Sequence, residues 1–185
     1  MITREFRLYC SWFYRTKRYT CSFTPLYGGN GGGYFDDGCE QAVRKIDLYY
    51  QGHTIRAIRL RYRRQSGTEY DGAWHGQTFG THFGVNLSLG EEIVAVVGRY
   101  TSSRVQQLAF LTQHPYNPYI RHTFGPYGNP TGTLFIENRG NIVAIYGRQG
   151  ADLDALGFKY LVWILVTIIR HAEPKIVFYS VHMYL

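Results

Sequence analysis

Apolar residues in this chain come in short runs, separated by polar turns that hold glycine, asparagine or proline. Ile93-Val94-Ala95-Val96-Val97 is one such run and Ile142-Val143-Ala144-Ile145-Tyr146 is another. Runs of this length bounded by turn residues read as buried strands. Between residues 24 and 160 no apolar set keeps a helical period for more than a few turns, so no long amphipathic helix is expected. The pattern predicts an all-β fold.

Three segments share one layout: an apolar or aromatic run, a polar turn with glycine, then a second strand-like run. They are "IDLYYQGHTIRAIRLRYR" (46–63), "IVAVVGRYTSSRVQQLAFLT" (93–112) and "IVAIYGRQGADLDALGFKYL" (142–161). Aligned on Ile46, Ile93 and Ile142, they lie 47 and 49 residues apart (93 − 46 and 142 − 93). That regularity signals one unit built three times. Between them lie further strand candidates such as 81–89 and 132–136, which brings the count to about four strands per unit.

Aromatic residues make up 17% of the chain, with 21 glycines and 17 tyrosines, which suits pleated surfaces joined by many turns. The net charge of +7 sits unevenly. Residues 1–23 carry Arg4, Arg7, Arg15, Lys17 and Arg18 against Glu5, whereas residues 24–160 carry 13 basic and 11 acidic groups. A nearly neutral centre gives no reason to expect nucleic acid there. The N-terminal stretch alternates basic and aromatic residues and lacks the apolar core of a secretory signal. The most apolar run, Leu161–Ile169, is nine residues long, against roughly twenty for a spanning helix, and reads as a buried strand or short helix. Secreted and cytoplasmic locations both stay open. So does the cysteine chemistry: Cys10 with Cys21 would close a loop, and free thiols fit as well, with Cys39 left over and no metal-type spacing.

The chemistry concentrates in "GRQGADLDALGF" (147–158), which sets Asp152 and Asp154 beside Gly147 and Gly150 between two buried strands. Solubility needs only a polar turn there. A carboxylate on a glycine-hinged loop reads instead as a small hydrogen-bonding cup for a neutral polar ligand, because it accepts from two hydroxyls at once.

Together with the glycine-rich stretch "YGGNGGGYFDDG" (27–38) and "LSLGEEIVAVVGRY" (87–100), this loop resembles the jacalin-related lectins over residues 24–162. Gly150-Ala151-Asp152-Leu153-Asp154 fits the family's sugar-binding GxxxD pattern. The resemblance implies the β-prism I fold, three four-stranded Greek-key sheets about a pseudo-threefold axis. It also implies one hexose site without metal or cofactor. In that site the Asp154 carboxylate accepts from sugar hydroxyls, the N–H groups of Ala151 and Asp152 donate, and the backbone of Gly32 and Gly33 forms the opposite wall. Thr101 and Ser102, in the matching turn of the second repeat, would line the rim. Mannose or glucose is expected over galactose, since galactose preference in the family goes with cleavage near the glycine loop and this chain runs through it. The expected partners are glycans or glycoproteins, with self-association to raise avidity.

Two departures stand out. The animal zymogen-granule lectins, which the chain is similar to, carry a basic residue after the glycine run, where this chain has Gly33 and Tyr34. Arg59, Arg61 and Arg63 leave one face of a strand and offer a substitute site for sulfated glycans, or simply a solvated outer face. Residues 1–23 and 163–185 have no counterpart in a minimal domain of this kind and are read as extensions of open role.

Enzymatic readings find little support. There is no GxSxG, "GGNGGG" lacks the Lys-Ser/Thr of a phosphate loop, and Asp152 and Asp154 lie on one loop rather than across a scissile bond. His75 and His82, seven apart, are a weak metal pair. The remaining rivals to a sugar binder are a non-catalytic interaction scaffold and a glycan-targeting module, each with a degenerate site.

Overall fold

The computed structural model describes residues 12–40, 42–64, 66–170 and 179–183. Two compact units divide the chain: residues 21–161 form one, and residues 1–20 with 162–185 form the other. Every described element is a strand: β1 Trp12–Phe23, β2 Tyr27–Gly28, β3 Gly33–Asp36, β4 Ala42–Gln51, β5 Thr54–Arg63, β6 Glu69–Asp71, β7 His75–Gly76, β8 Thr81–Asn86, β9 Glu92–Tyr100, β10 Val105–His114, β11 Asn117–Gly128, β12 Thr133–Glu137, β13 Ile142–Gln149, β14 Leu153–Arg170 and β15 Tyr179–Met183.

The larger unit is built on three long antiparallel hairpins, β4–β5, β9–β10 and β13–β14. Each gains a strand on either side. β8 pairs β4, while β6 and β7 pair β5; β12 pairs β9 and β11 pairs β10; β3 pairs β13 and β2 pairs β14. Three groups of four result, with the short β6 and β7 sharing one edge of the first, and this is the all-β prism that the family resemblance implies. The third group takes its flanking strands from the start of the chain, so the glycine-rich stretch is brought against the last hairpin.

The hairpins superpose by their irregularities. β-Bulges leave Arg44, Val94 and Val143 unpaired near the start of each, and Arg56, Gln106 and Asp154 unpaired just beyond each turn. The equivalent starting residues are therefore Val43, Ile93 and Ile142, 50 and 49 apart (93 − 43 and 142 − 93). This corrects the alignment on Ile46, which was three residues out of step. Val43 is buried like Ile93 and Ile142, but Arg44 and Lys45 follow it where the other segments have Val94-Ala95 and Val143-Ala144, so the apolar run of the first segment starts only at Ile46.

Alternation explains the packing. Ile55, Ile58, Leu60 and Tyr62 of β5 point inward beside Phe110 of β10 and Phe158 of β14, and all belong to one core drawn from the three groups. Each large side chain so buried contributes about 2 kcal/mol. The core also holds one polar triad. Tyr62 Oη donates to Asp37 Oδ2 (2.5 Å), and His75 Nε2 lies 2.7 Å from Asp37 Oδ1 while its ring stacks on Phe35. A carboxylate with two such partners is tolerated where a lone one is not.

Cys21 is disulfide-bonded to Cys39, with Cα atoms 6.0 Å apart. The pairing with Cys10 is thus replaced by one to a cysteine read as left over; Cys10 itself lies outside the described residues. In the smaller unit β14 pairs β15, from Ile164 opposite Met183 to Ile168 opposite Tyr179. The Leu161–Ile169 run is accordingly strand, and no helix among the described residues is long and apolar enough to cross a membrane.

Candidate functional site

The β13–β14 turn is closed by the Gly150 N–H donating to the Asp152 carbonyl (3.0 Å). Leu153 and Ala155 flank it with buried side chains, fixing the alternation of the strand. Asp154 falls between them at the bulge, where pairing passes from Gln149–Leu153 to Arg148–Ala155. An extra residue at a bulge is left unpaired in the ladder, and its side chain is re-aimed. Here it turns towards the glycine loop.

That loop is held on three sides. Gly28 pairs Ala155, and the Gly29 N–H donates to the Asp154 carbonyl (2.8 Å). The Arg148 guanidinium donates from Nε to the Gly31 carbonyl (2.8 Å) and from Nη2 to the Gly32 carbonyl (2.9 Å). Gly29 packs on the β9–β10 turn so tightly that a Cβ there would lie 2.7 Å from the Ser102 carbonyl oxygen. Gly32, at φ +62°, leaves no room for a Cβ between the Gln149 carbonyl and the Asp154 carboxylate. Glycine is required at this point for both conformation and space.

The carboxylate of Asp154 consequently faces main chain rather than side chains. A Cβ on Gly31 would sit 3.4 Å from its Oδ2, and one on Gly150 would sit 3.1 Å away. Gly31, Gly32, Gly33, Gly150 and Ala151 are all exposed around it. Partial burial and the neighbouring Asp152 charge push the Asp154 carboxyl above its ordinary value, while Arg104 and Arg148 pull it back. No hydrogen bond from the described residues offsets that cost.

Asp152 has a different setting. Only 8% exposed, it accepts from Arg56 Nη1 of the first hairpin and from Arg104 Nη1 of the second (2.5 Å). Its side chain is therefore committed, and only its backbone is free to serve a ligand. Thr101 and Ser102 lie in a turn closed by the Thr101 N–H donating to the Arg104 carbonyl (2.9 Å), packed against Gly29. Gly33 begins β3 opposite Gln149, and a Cβ there would meet nothing within 4 Å.

Elsewhere, Arg59, Arg61 and Arg63 do share the outer face of β5. Arg59 is paired with the buried Asp47 (3.0 Å) and lies over the Trp74 ring, and Arg61 is paired with Asp71 (2.7 Å). His75 and His82 part company: His75 is bound to Asp37 and His82 to Asp47, and no metal-ligating cluster exists among the described residues. Sequence reasoning missed the parts played by Arg56 and Arg104. Arg148 was legible in principle, because Arg99 repeats it one unit earlier and donates to the Gly132 carbonyl (3.0 Å) just as Arg148 does to Gly32. Nothing local marks Arg56 or Arg104, whose partner lies 96 or 48 residues away.

Comparison with known proteins gives the family. Residues 25–159 match the jacalin-like lectin domain. Jacalin-related lectin 19 of Arabidopsis thaliana is 33% identical over 139 residues, covering 74% of this chain and 78% of the relative. The agglutinin of Castanea crenata is 30% identical over 142 residues, 71% of this chain but only 44% of the agglutinin, so the chain spans less than half of that relative's length. Among solved structures, a mannose-binding jacalin-related lectin from Ananas comosus has TM-score 0.66 and 29% identity, covering 76% of this chain and 96% of that one. A mannose-specific jacalin-related lectin from Morus nigra, solved in complex with mannose, has TM-score 0.64 and 29% identity, covering 75% and 92%.

Proposed function

The chain belongs to the jacalin-like lectin family, whose members are non-catalytic carbohydrate-binding proteins, and we propose that it binds a terminal hexose of the mannose or glucose type between the glycine loop and the β13–β14 turn. One observation carries the proposal: the Asp154 carboxylate faces Gly31, Gly32 and Gly150 without a hydrogen-bond donor from the described residues. Two adjacent sugar hydroxyls supply the donors it lacks. The N–H groups of Ala151 and Asp152 donate to the same sugar oxygens, the main chain of Gly32 and Gly33 forms the far wall, and Thr101 and Ser102 line the rim. No metal takes part. The preference for mannose or glucose is supported by the mannose-binding neighbours from Ananas comosus and Morus nigra.

Each hydrogen bond contributes about 1 kcal/mol net, and a shallow exposed site buries little of its ligand, so monosaccharide affinity is weak. Clustered glycans or self-association provide avidity. Sulfated glycans are a poorer fit to the β5 stripe, because Asp47 and Asp71 already neutralise Arg59 and Arg61. The sugar site lies within residues 24–162, and the two extensions are given no part in it.

A glycan array probed with the intact protein and with Asp154→Ala tests this. Mannose- or glucose-terminated glycans are expected to retain the intact protein and to lose the variant, with circular dichroism unchanged. Retention of the folded variant, or a galactose preference in the intact protein, would overturn the assignment.

A further inference from the structure

Three hairpins that are far apart in sequence meet at one carboxylate. Asp152 of the β13–β14 turn is 8% exposed and receives Arg56 from the first hairpin and Arg104 from the second. Arg56 occupies in its own hairpin the bulge position that Asp154 occupies in the third, and its Nη2 also reaches Gln77 Oε1 (3.4 Å) in the loop after β7. Arg104 ends the turn that packs on Gly29. The Gln149 amide oxygen, at the start of the same turn, accepts from the Gly76 N–H (2.6 Å). The Gly150–Asp154 segment is thus anchored from both other groups of strands, though its own hairpin closes it with one backbone hydrogen bond.

We infer that Arg104 and Arg56 are positioning residues for the sugar site: by fixing Asp152, they set the place of the Asp154 carboxylate opposite the glycine loop. The inference rests on the hexose reading given above and extends it to two residues that touch no sugar in that reading. The physical reason is twofold. Charge-assisted, two-sided bonding of Asp152 holds a turn that glycine and alanine leave loose. It also neutralises the anion nearest Asp154, whose ionised form is the one that accepts two hydroxyls. The charged groups around Asp154 are Asp152 on its own turn, Arg148 on β13 and Arg104 on the neighbouring turn. Arg56 acts at one remove, through Asp152.

The test uses Arg104→Gln in the full-length protein, since Arg104 is the more exposed of the two (43% of its side chain against 20% for Arg56). Methyl mannoside titrations are run from neutral pH into the acid range. Thermal unfolding is followed in parallel, as is the Asp154 carboxyl-carbon NMR signal without sugar. The expected result is about tenfold weaker binding at neutral pH. The acid limb of binding and the NMR midpoint both move to higher pH, with little change in unfolding temperature. Adding Asp152→Asn to Arg104→Gln removes the repelling charge and returns the NMR midpoint towards that of the intact protein. Unchanged affinity and midpoint would overturn the inference. So would weaker binding that merely follows a lower unfolding temperature while the midpoint stays put, for that is a purely structural role. If the intact protein bound no hexose, the sugar reading would fall by itself, and the NMR midpoints would still show whether Arg104 governs Asp154.

Discussion

The β9–β10 and β13–β14 hairpins share their framework almost position by position, yet only one of them carries a candidate sugar site. Both are bulged after the first strand residues and again beyond the turn. Both receive a flanking loop that opens and closes with positive-φ glycines, Gly128 and Gly132 in one case, Gly28 and Gly32 in the other. Both use an arginine, Arg99 or Arg148, to hold that loop by its carbonyls. The difference is confined to what fills this frame. Gln106 stands at the bulge where the third hairpin has Asp154, and its amide oxygen is buried without a partner among the described residues. Opposite it the loop reads Asn129-Pro130-Thr131, against Gly29-Asn30-Gly31. The first hairpin diverges further, with Arg56 at the bulge and Gln77-Thr78-Phe79 in the loop. The arginine clamp and the paired glycines are therefore scaffold, since they recur where no carboxylate exists. The proposed sugar site combines two local features: an acceptor at the bulge, and a facing loop with almost no side chains.

Substitutions at matched positions separate scaffold from site. The largest effect on sugar binding is expected from Gly32→Ala, which must place a Cβ against the Gln149 carbonyl and the Asp154 carboxylate at positive φ. It should lower stability by about 1–2 kcal/mol or more and abolish sugar retention. Gly132→Ala meets the Tyr100 carbonyl at φ +95° and should cost similar stability while leaving sugar retention intact. Denaturant titration beside mannose-column retention distinguishes them, and loss of retention in both would dissolve the contrast. Next comes Gln106→Asp, which copies the acceptor without its glycine loop. It should destabilise by about 1–3 kcal/mol through an unpaired buried charge and create no second site, so calorimetric stoichiometry stays at one sugar per chain.

The smallest effect is one of pH. Because partial burial and Asp152 raise the Asp154 carboxyl, sugar affinity should begin to fall at a higher pH than an ordinary aspartate would dictate. Stability moves the opposite way through this group. A carboxyl raised in the folded state penalises the fold when ionised, and the penalty disappears as pH drops from the raised folded value to the ordinary unfolded one. Sugar titrations and unaided melting curves across that window should therefore slope in opposite senses for the Asp154 contribution. Parallel slopes would remove Asp154 from the account.

Much of this was legible in the chain. Short apolar runs ending in glycine turns identify strands because a pleated surface needs residues that pack at period two and turns that tolerate positive φ. The recurrence of Ile-Val-Ala before Gly98-Arg99 and Gly147-Arg148 marks two of the three hairpins. Its first copy was misaligned because Arg44-Lys45 stand where the other two hairpins have Val94-Ala95 and Val143-Ala144, so no apolar run marks the start at Val43. Asp152 and Asp154 were marked together as carboxylates beside glycine between buried strands, and Asp154 was preferred because it fills the last position of the GxxxD pattern that the resemblance supplies.

What the linear order could not decide is everything that depends on distance across the core. Tertiary structure chose Cys39 over Cys10 as the partner of Cys21, gave Asp152 to two arginines from other hairpins, and turned Asp154 rather than its neighbour towards the glycine loop. Local pattern determines strands and turns, because backbone preferences and side-chain alternation act over a few residues. The meeting of residues 32, 56, 104 and 152–154 is set only when three hairpins close on a shared core, and no local preference encodes that encounter.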